Sequence, residues 1–237
     1  MRYIPDQTRR FPSRPHYQPA ELDSDCELVI TSFLQGLHGE VKFPIATEDL
    51  TKLIERDAQD LDVYADLSGY GEDVEGVTEF VRGAKPVVAI SAKLYENSRQ
   101  ENRLRTTLTH EFGHVRFHAC LWDLEPPNRE LLAHTPNNDK IICKRDNIVD
   151  TAQSDWMEWQ AGYVCGAILM PKSVVISRCR EFSEATGLFG VLGQDTKHGR
   201  EFVARIMADF QVSEQAARVR LLKLGLMVPG TPPPSLF

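Results

Sequence analysis

A helix with two working faces constrains this chain more than anything else in it. Between about Asn97 and Ala119, the residues Leu104, Leu108, Phe112, Val115 and Ala119 follow one another at steps of three or four. At about 100° per residue they make one apolar stripe. His110 and His114 fall on the far side of the same helix, four residues apart, so their imidazoles sit one above the other. Two such nitrogens can hold one divalent metal at ~2.0–2.1 Å. Glu111 projects beside them, about 100° around the helix. It is too close in sequence to be a comfortable third ligand, but it is well placed to take a proton from water activated by the metal.

A metal site of this kind needs a third protein ligand. His118 continues the histidine column, but one straight helix rarely supplies three ligands to one ion, so it reads as a residue behind the ligands or on the surface. The His-x-x-Gly-x-x-His ending of one zinc-protease class is missing, because positions 117 and 120 hold Phe117 and Cys120. A carboxylate from another helix remains. Glu158 opens a second long helix, from about Asp155 to Met170, which Pro171 stops. Pattern alone leaves it equally a partner of Asp155 in a capping box. His134 and Asp155 stand next in line. Ala161, Gly162 and Cys165 follow on the Glu158 face and are small enough for two helices to approach closely.

Around these helices the chain reads as α+β. Residues 61–66 alternate like a strand, and Val77–Val81 and Pro86–Ile90 form a hairpin about the loop Arg82–Lys85. Ile141–Cys143 is a further short strand. The sheet is expected to be small and mostly antiparallel. Residues 1–20, with four prolines and four arginines, read as an extended arm, mobile or draped over the domain. Residues 21–172 form the core, 173–226 a helical element, and 227–237 a Pro-rich tail.

Composition narrows the setting. The 237 residues carry a net charge of −7, which does not suit coating nucleic acid with the whole surface. No apolar run approaches the ~20 residues of a membrane helix, and Met1–Asp6 lacks the apolar stretch of a signal peptide. The five cysteines are odd in number and form no Cys-x-x-Cys pair, so neither a disulfide framework nor a zinc knuckle is expected. A cytoplasmic protein with no membrane attachment is expected.

The segment His110-Glu111-Phe112-Gly113-His114, then Glu158-x-x-Ala161 and Ala167-Ile168-Leu169-Met170-Pro171, resembles the ImmA/IrrE family of metallopeptidases. The likeness runs from about residue 61 to 225. The chain departs from the family pattern three residues after the alanine, where Val164, with Tyr163 beside it, replaces Phe. The resemblance implies a zincin-like core, with His110, His114 and Glu158 holding Zn²⁺ (Mn²⁺ would also bind) and Glu111 as general base. The sequence does not name the donor that stabilises the oxyanion; Tyr163 and His118 are the candidates. The implied role is an endopeptidase that cleaves a helix-turn-helix repressor and so releases stress or mobile-element genes. The alternative is a non-catalytic, metal-bound regulator that binds a repressor or DNA. Residues 200–224 resemble the family's helix-turn-helix-like element, in which Arg218, Arg220 and Lys223 could meet phosphates, although a helical hairpin packed on the core is the stronger reading. Finally, if Val87, Val88, Ala89 and Ile90 form an edge strand, an extended substrate can pair with it.

Overall fold

The N-terminal arm is a folded hairpin. Strand β1 (Arg2–Pro5) pairs antiparallel with β2 (Ser13–His16), and Asp6 ties the loop between them. Its carboxylate accepts hydrogen bonds from the Thr8 hydroxyl, the Phe11 amide and the Trp156 indole. Phe11 then seats against Trp122, which stacks on Phe80 at 3.7 Å. The computed structural model describes residues 1–123, 140–144 and 155–230. The candidate ligand His134 and the tail from 231 onward lie outside them.

Helix α1 (Pro19–His38) follows and ends at Gly39, whose φ of 73° suits a residue without a Cβ. Helix α2 (Thr47–Asp57) leads into β3 (Asp60–Ala65), β4 (Val74–Glu79) and β5 (Val87–Ser91). After the short α3 (Ala92–Tyr95) comes the long helix α4 (Glu101–His118), and then α5 (Cys120–Asp123) and β6 (Lys140–Lys144). Helix α6 (Trp156–Leu169) and α7 (Lys172–Thr186) are separated by Pro171. The remainder is β7 (Leu192–Gly193), α8 (Lys197–Phe210), α9 (Glu214–Lys223) and β8 (Met227–Val228).

The main sheet has the order β3-β5-β4-β6. The β4–β5 and β4–β6 pairs are antiparallel and β3–β5 is parallel, so the α+β reading with a mostly antiparallel sheet holds. The expected β4–β5 hairpin is present, with Glu79 opposite Val87. The expectation of an edge strand at Val87–Ile90 fails. β5 is paired on both sides, because β3 returns parallel beside it with Asp60 opposite Val87. Among the described residues the sheet edges are β3 and β6.

Helix α4 lies between this sheet and α6. Its stripe of Leu104, Leu108, Phe112 and Val115 joins Val88 and Ile90 of β5, Leu50, Leu53 and Ile54 of α2, and Val164 and Ile168 of α6 in one core. The register between β4 and β6 shifts between Val74 and Gly76. Both Glu75 and Gly76 consequently face α4. Glu75 pairs with Arg103 at 2.6 Å, and Gly76 meets Glu111.

The C-terminal helices share that core rather than forming a separate body: Phe202, Ile206, Phe210, Ala217 and Leu221 belong to it. Arg105, fully buried on α4, donates to the carbonyls of Ile45, Phe210 and Gln211 and so fixes the end of α8 to the helix that carries the histidines. Ser213 caps α9, as its sequence position suggests. Of the three basic residues considered for phosphate contact, Arg220 is 2% exposed and pairs with Asp23. Arg218 bonds Glu214 and the Gln194 carbonyl, and Lys223 lies over the Tyr163 ring. No helix among the described residues is long and apolar enough to cross a membrane.

Candidate metal centre

Two small residues set the distance between the helices that meet at the centre. A Cβ on Gly113 would come within 2.9 Å of the Ala161 Cα, closer than such atoms approach. Gly113 and Ala161 are therefore the point where α4 touches α6. Six residues before Ala161, Asp155 caps α6 by accepting from the amides of Met157 and Glu158. The capping half of the capping-box reading is present. The Glu158 side chain, however, turns toward the histidines.

There the carboxylate spans both rings. Glu158 Oε2 lies 3.1 Å from His110 Nε2, Glu158 Oε1 lies 3.3 Å from His114 Nε2, and the two Nε2 atoms are 3.1 Å apart. All three side chains are buried, and their ligand atoms lie within 4.8 Å of one another. Burial alone would raise the Glu158 carboxyl, but His114 and His110 outweigh it and hold it below the usual carboxylate range. Two imidazoles and one carboxylate, converging and buried, form a donor set that fits a divalent cation. The geometry can thus hold a metal ion and does not by itself choose which.

Behind His114 runs a chain of hydrogen bonds whose proton order can be read from its far end. The Pro15 carbonyl can only accept, so the group of Gln160 that meets it at 3.0 Å is the amide Nε2. Gln160 Oε1 then faces His118 Nε2 at 3.0 Å, and that nitrogen carries the hydrogen. Burial, followed by the neighbouring His114, pushes the His118 pKa well down, so the ring is neutral and its Nδ1 keeps a lone pair. His114 Nδ1, 3.0 Å away, donates to it. With Nδ1 turned to His118, His114 presents Nε2 to Glu158 and His110. A backbone carbonyl of the N-terminal hairpin thereby orients, through Gln160 and His118, the ring nitrogen that would meet a metal.

Glu111 is held differently. The Thr78 hydroxyl on β4 donates to its Oε2. Its Oε1 is buried without a hydrogen-bond partner. A Cβ on Gly76 would lie 2.4 Å from that oxygen, so the glycine supplies the space the carboxylate occupies. Burial raises the Glu111 pKa, against the opposing pull of His114 and His110.

The structure brings His110, His114, Glu158 and Glu111 together, with His118 directly behind His114. Both ring nitrogens of His118 are engaged, by His114 and Gln160, which leaves neither aimed at an oxyanion. Tyr163 does not belong to the centre: its hydroxyl bonds Asp23 of α1 at 3.0 Å. Val87–Ile90 sit in the interior strand and offer no free edge. Sequence reasoning missed Gly76, Thr78, Gln160 and Cys143. A Gly-Val-Thr run inside a strand pattern is the one local sign, since glycine in a strand interior marks a close approach. Comparison with family models and with curated proteins returned no match.

Proposed function

We propose that this chain is a cytoplasmic, metal-dependent endopeptidase of the ImmA/IrrE kind, built on a zincin-like core and using Zn²⁺ or Mn²⁺. The observation that carries the reading is the division of labour at α4. Three side chains converge as ligands, while the fourth, Glu111, adjoins His110 in sequence and is held outside the ligand set with one oxygen unpaired. A regulator that only stores an ion between His110, His114 and Glu158 has no use for that carboxylate.

Bound there, a divalent ion supplies Lewis acidity, polarising a substrate carbonyl and making water a better acid. Glu111 takes the proton from the attacking water on Oε1 and returns it to the leaving amine, while Thr78 steadies Oε2. Its raised pKa keeps the carboxylate basic enough for the first transfer. The Gln160–His118–His114 chain holds the ligand ring still during both transfers. An extended substrate meets the sheet at β6, an edge strand among the described residues and next to β4, instead of at β5. The proposed substrate class is a helix-turn-helix repressor of stress or mobile-element genes, cut in a linker or a frayed helix end, where the backbone can pair.

The test is incubation of wild type and Glu111→Gln, each loaded with one equivalent of Zn²⁺ or Mn²⁺, with helix-turn-helix repressors from the same genome, followed by mass spectrometry of the products. Cleavage by wild type alone supports the proposal. Equal cleavage by both proteins, or none by fully loaded wild type across that set, refutes it.

A further inference from the structure

One ligand-type group at the centre has no part in the reaction above. Cys143 lies on β6 directly opposite Gly76 of β4, and its side chain is fully buried. Paired residues of an antiparallel ladder project to the same face. Gly76 is also the residue whose missing Cβ leaves room for Glu111. The register thus sets the thiol beside the carboxylate that Thr78 and Gly76 hold in place. His110, Glu111 and Cys143 each offer a ligand atom within 4.8 Å of the other two, and Glu111 Oε1 is buried there without a hydrogen-bond partner.

This set overlaps the first but is not the same. His110 belongs to both; His114 and Glu158 belong only to the first, Glu111 and Cys143 only to the second. The chemistry differs too. Two imidazoles with a carboxylate suit a borderline divalent ion, whereas a thiolate shifts preference toward soft ions. We propose that His110, Glu111 and Cys143 form a second, thiolate-bearing cation site that takes Cd²⁺, or Zn²⁺ beyond the first equivalent, and that filling it withdraws Glu111 from proton transfer. On binding, the sulfur–metal bond forms as the thiol releases its proton to solvent. Where the first site is filled as well, the shared His110, whose neutral ring has one lone pair, also releases its N–H proton to solvent, so that each nitrogen meets one ion. Neither step changes an oxidation state. The site stands on the ligand geometry; only its inhibitory consequence rests on the reading of Glu111 as base.

The shared and unshared residues provide the test. Cd²⁺ is titrated into the full chain and followed by sulfur-to-cadmium charge transfer in the ultraviolet, with bound metal counted after dialysis and folding checked by circular dichroism. Wild type should show a charge-transfer equivalent that Cys143→Ser and Cys143→Ala lack, while both variants keep their first equivalent of Zn²⁺. His114→Ala should lose the first Zn²⁺ equivalent and keep the band. His110→Ala should lose both. The four other cysteines are present in every arm, so the difference reports Cys143 alone. An undiminished band in folded Cys143→Ser and Cys143→Ala, or its disappearance from folded His114→Ala, overturns the site. Neither readout needs a cleaved peptide, so failure of the peptidase reading leaves this result decisive.

Discussion

The two sides of the centre are built on opposite principles. On the α6 side, the polar atoms of Gln160 and His118 that run between Pro15 and His114 all have partners, and the order of protons along that line is fixed. On the β4 side, Glu111 has one bonded oxygen and one left bare in a space kept open by a glycine. A ligand has to be held in one geometry and one tautomer, which complete satisfaction provides. A base has to keep an acceptor available to a substrate proton, which complete satisfaction would remove.

Removing the ligands should have the largest effect. His114→Ala or Glu158→Ala should abolish the first equivalent of Zn²⁺, measured as ions per chain after dialysis from loading with one equivalent. Full metal in Glu158→Ala would move the third ligand elsewhere. Next comes the base side. Glu111→Gln should keep its metal and lose ~10²–10⁴ in turnover, the usual scale for a general base. Gly76→Ala sharpens the comparison without touching a reacting group. Its methyl must displace Glu111, so turnover should fall by more than about tenfold while metal affinity stays within a few-fold of wild type. Overpacking of this kind also costs about 1–3 kcal/mol of stability. Coincident loss of metal and turnover in Gly76→Ala would show that the two sides are not separable. Gln160→Leu is the reverse case, and should weaken metal binding by ~10–100-fold, the typical effect of losing a partner behind a ligand.

The smallest effect concerns the hairpin. Burial alone would raise the Asp6 carboxyl, but hydrogen bonds from Phe11, Thr8 and Trp156 outweigh it and hold its pKa below the usual value. A depressed folded-state pKa means that Asp6 stabilises the fold above about pH 4, the unfolded value. That contribution is lost as pH falls through the lower folded value. Asp6→Asn should lower stability by about 1–2 kcal/mol at pH 7 and flatten the acid limb of stability against pH. An unchanged acid limb in equilibrium denaturation would show that Asp6 contributes nothing to it.

Much of the helical side was legible in the sequence because its signals are local. The stripe of α4, the i,i+4 histidines and the Asp155 cap each lie within a few residues. Glu158 was separable from its capping alternative only through resemblance, since both roles need the same residue at the same place. Tyr163 could have been excluded without a structure: five residues past Glu158, it is turned about 140° around the helix. The sheet side was less legible because registers are not local. That Cys143 faces Gly76, that β3 closes the flank of β5, and that Pro15 meets Gln160 are facts of pairing between distant segments. Arg220 looked free for the same reason, its partner Asp23 being 197 residues away.

The link from Pro15 to Gln160 spans 145 residues, and this gives the centre a place in time. During synthesis the hairpin carbonyl and all three histidines of α4 leave the ribosome well before α6 exists. Until Gln160 arrives, His118 lacks the partner of its Nε2, and until Glu158 arrives the first ligand set is two histidines. The first ligand set is therefore completed late and all at once, when one helix docks. A chain that stalls before that point carries the three histidines of α4 without the carboxylate that completes the ligand set.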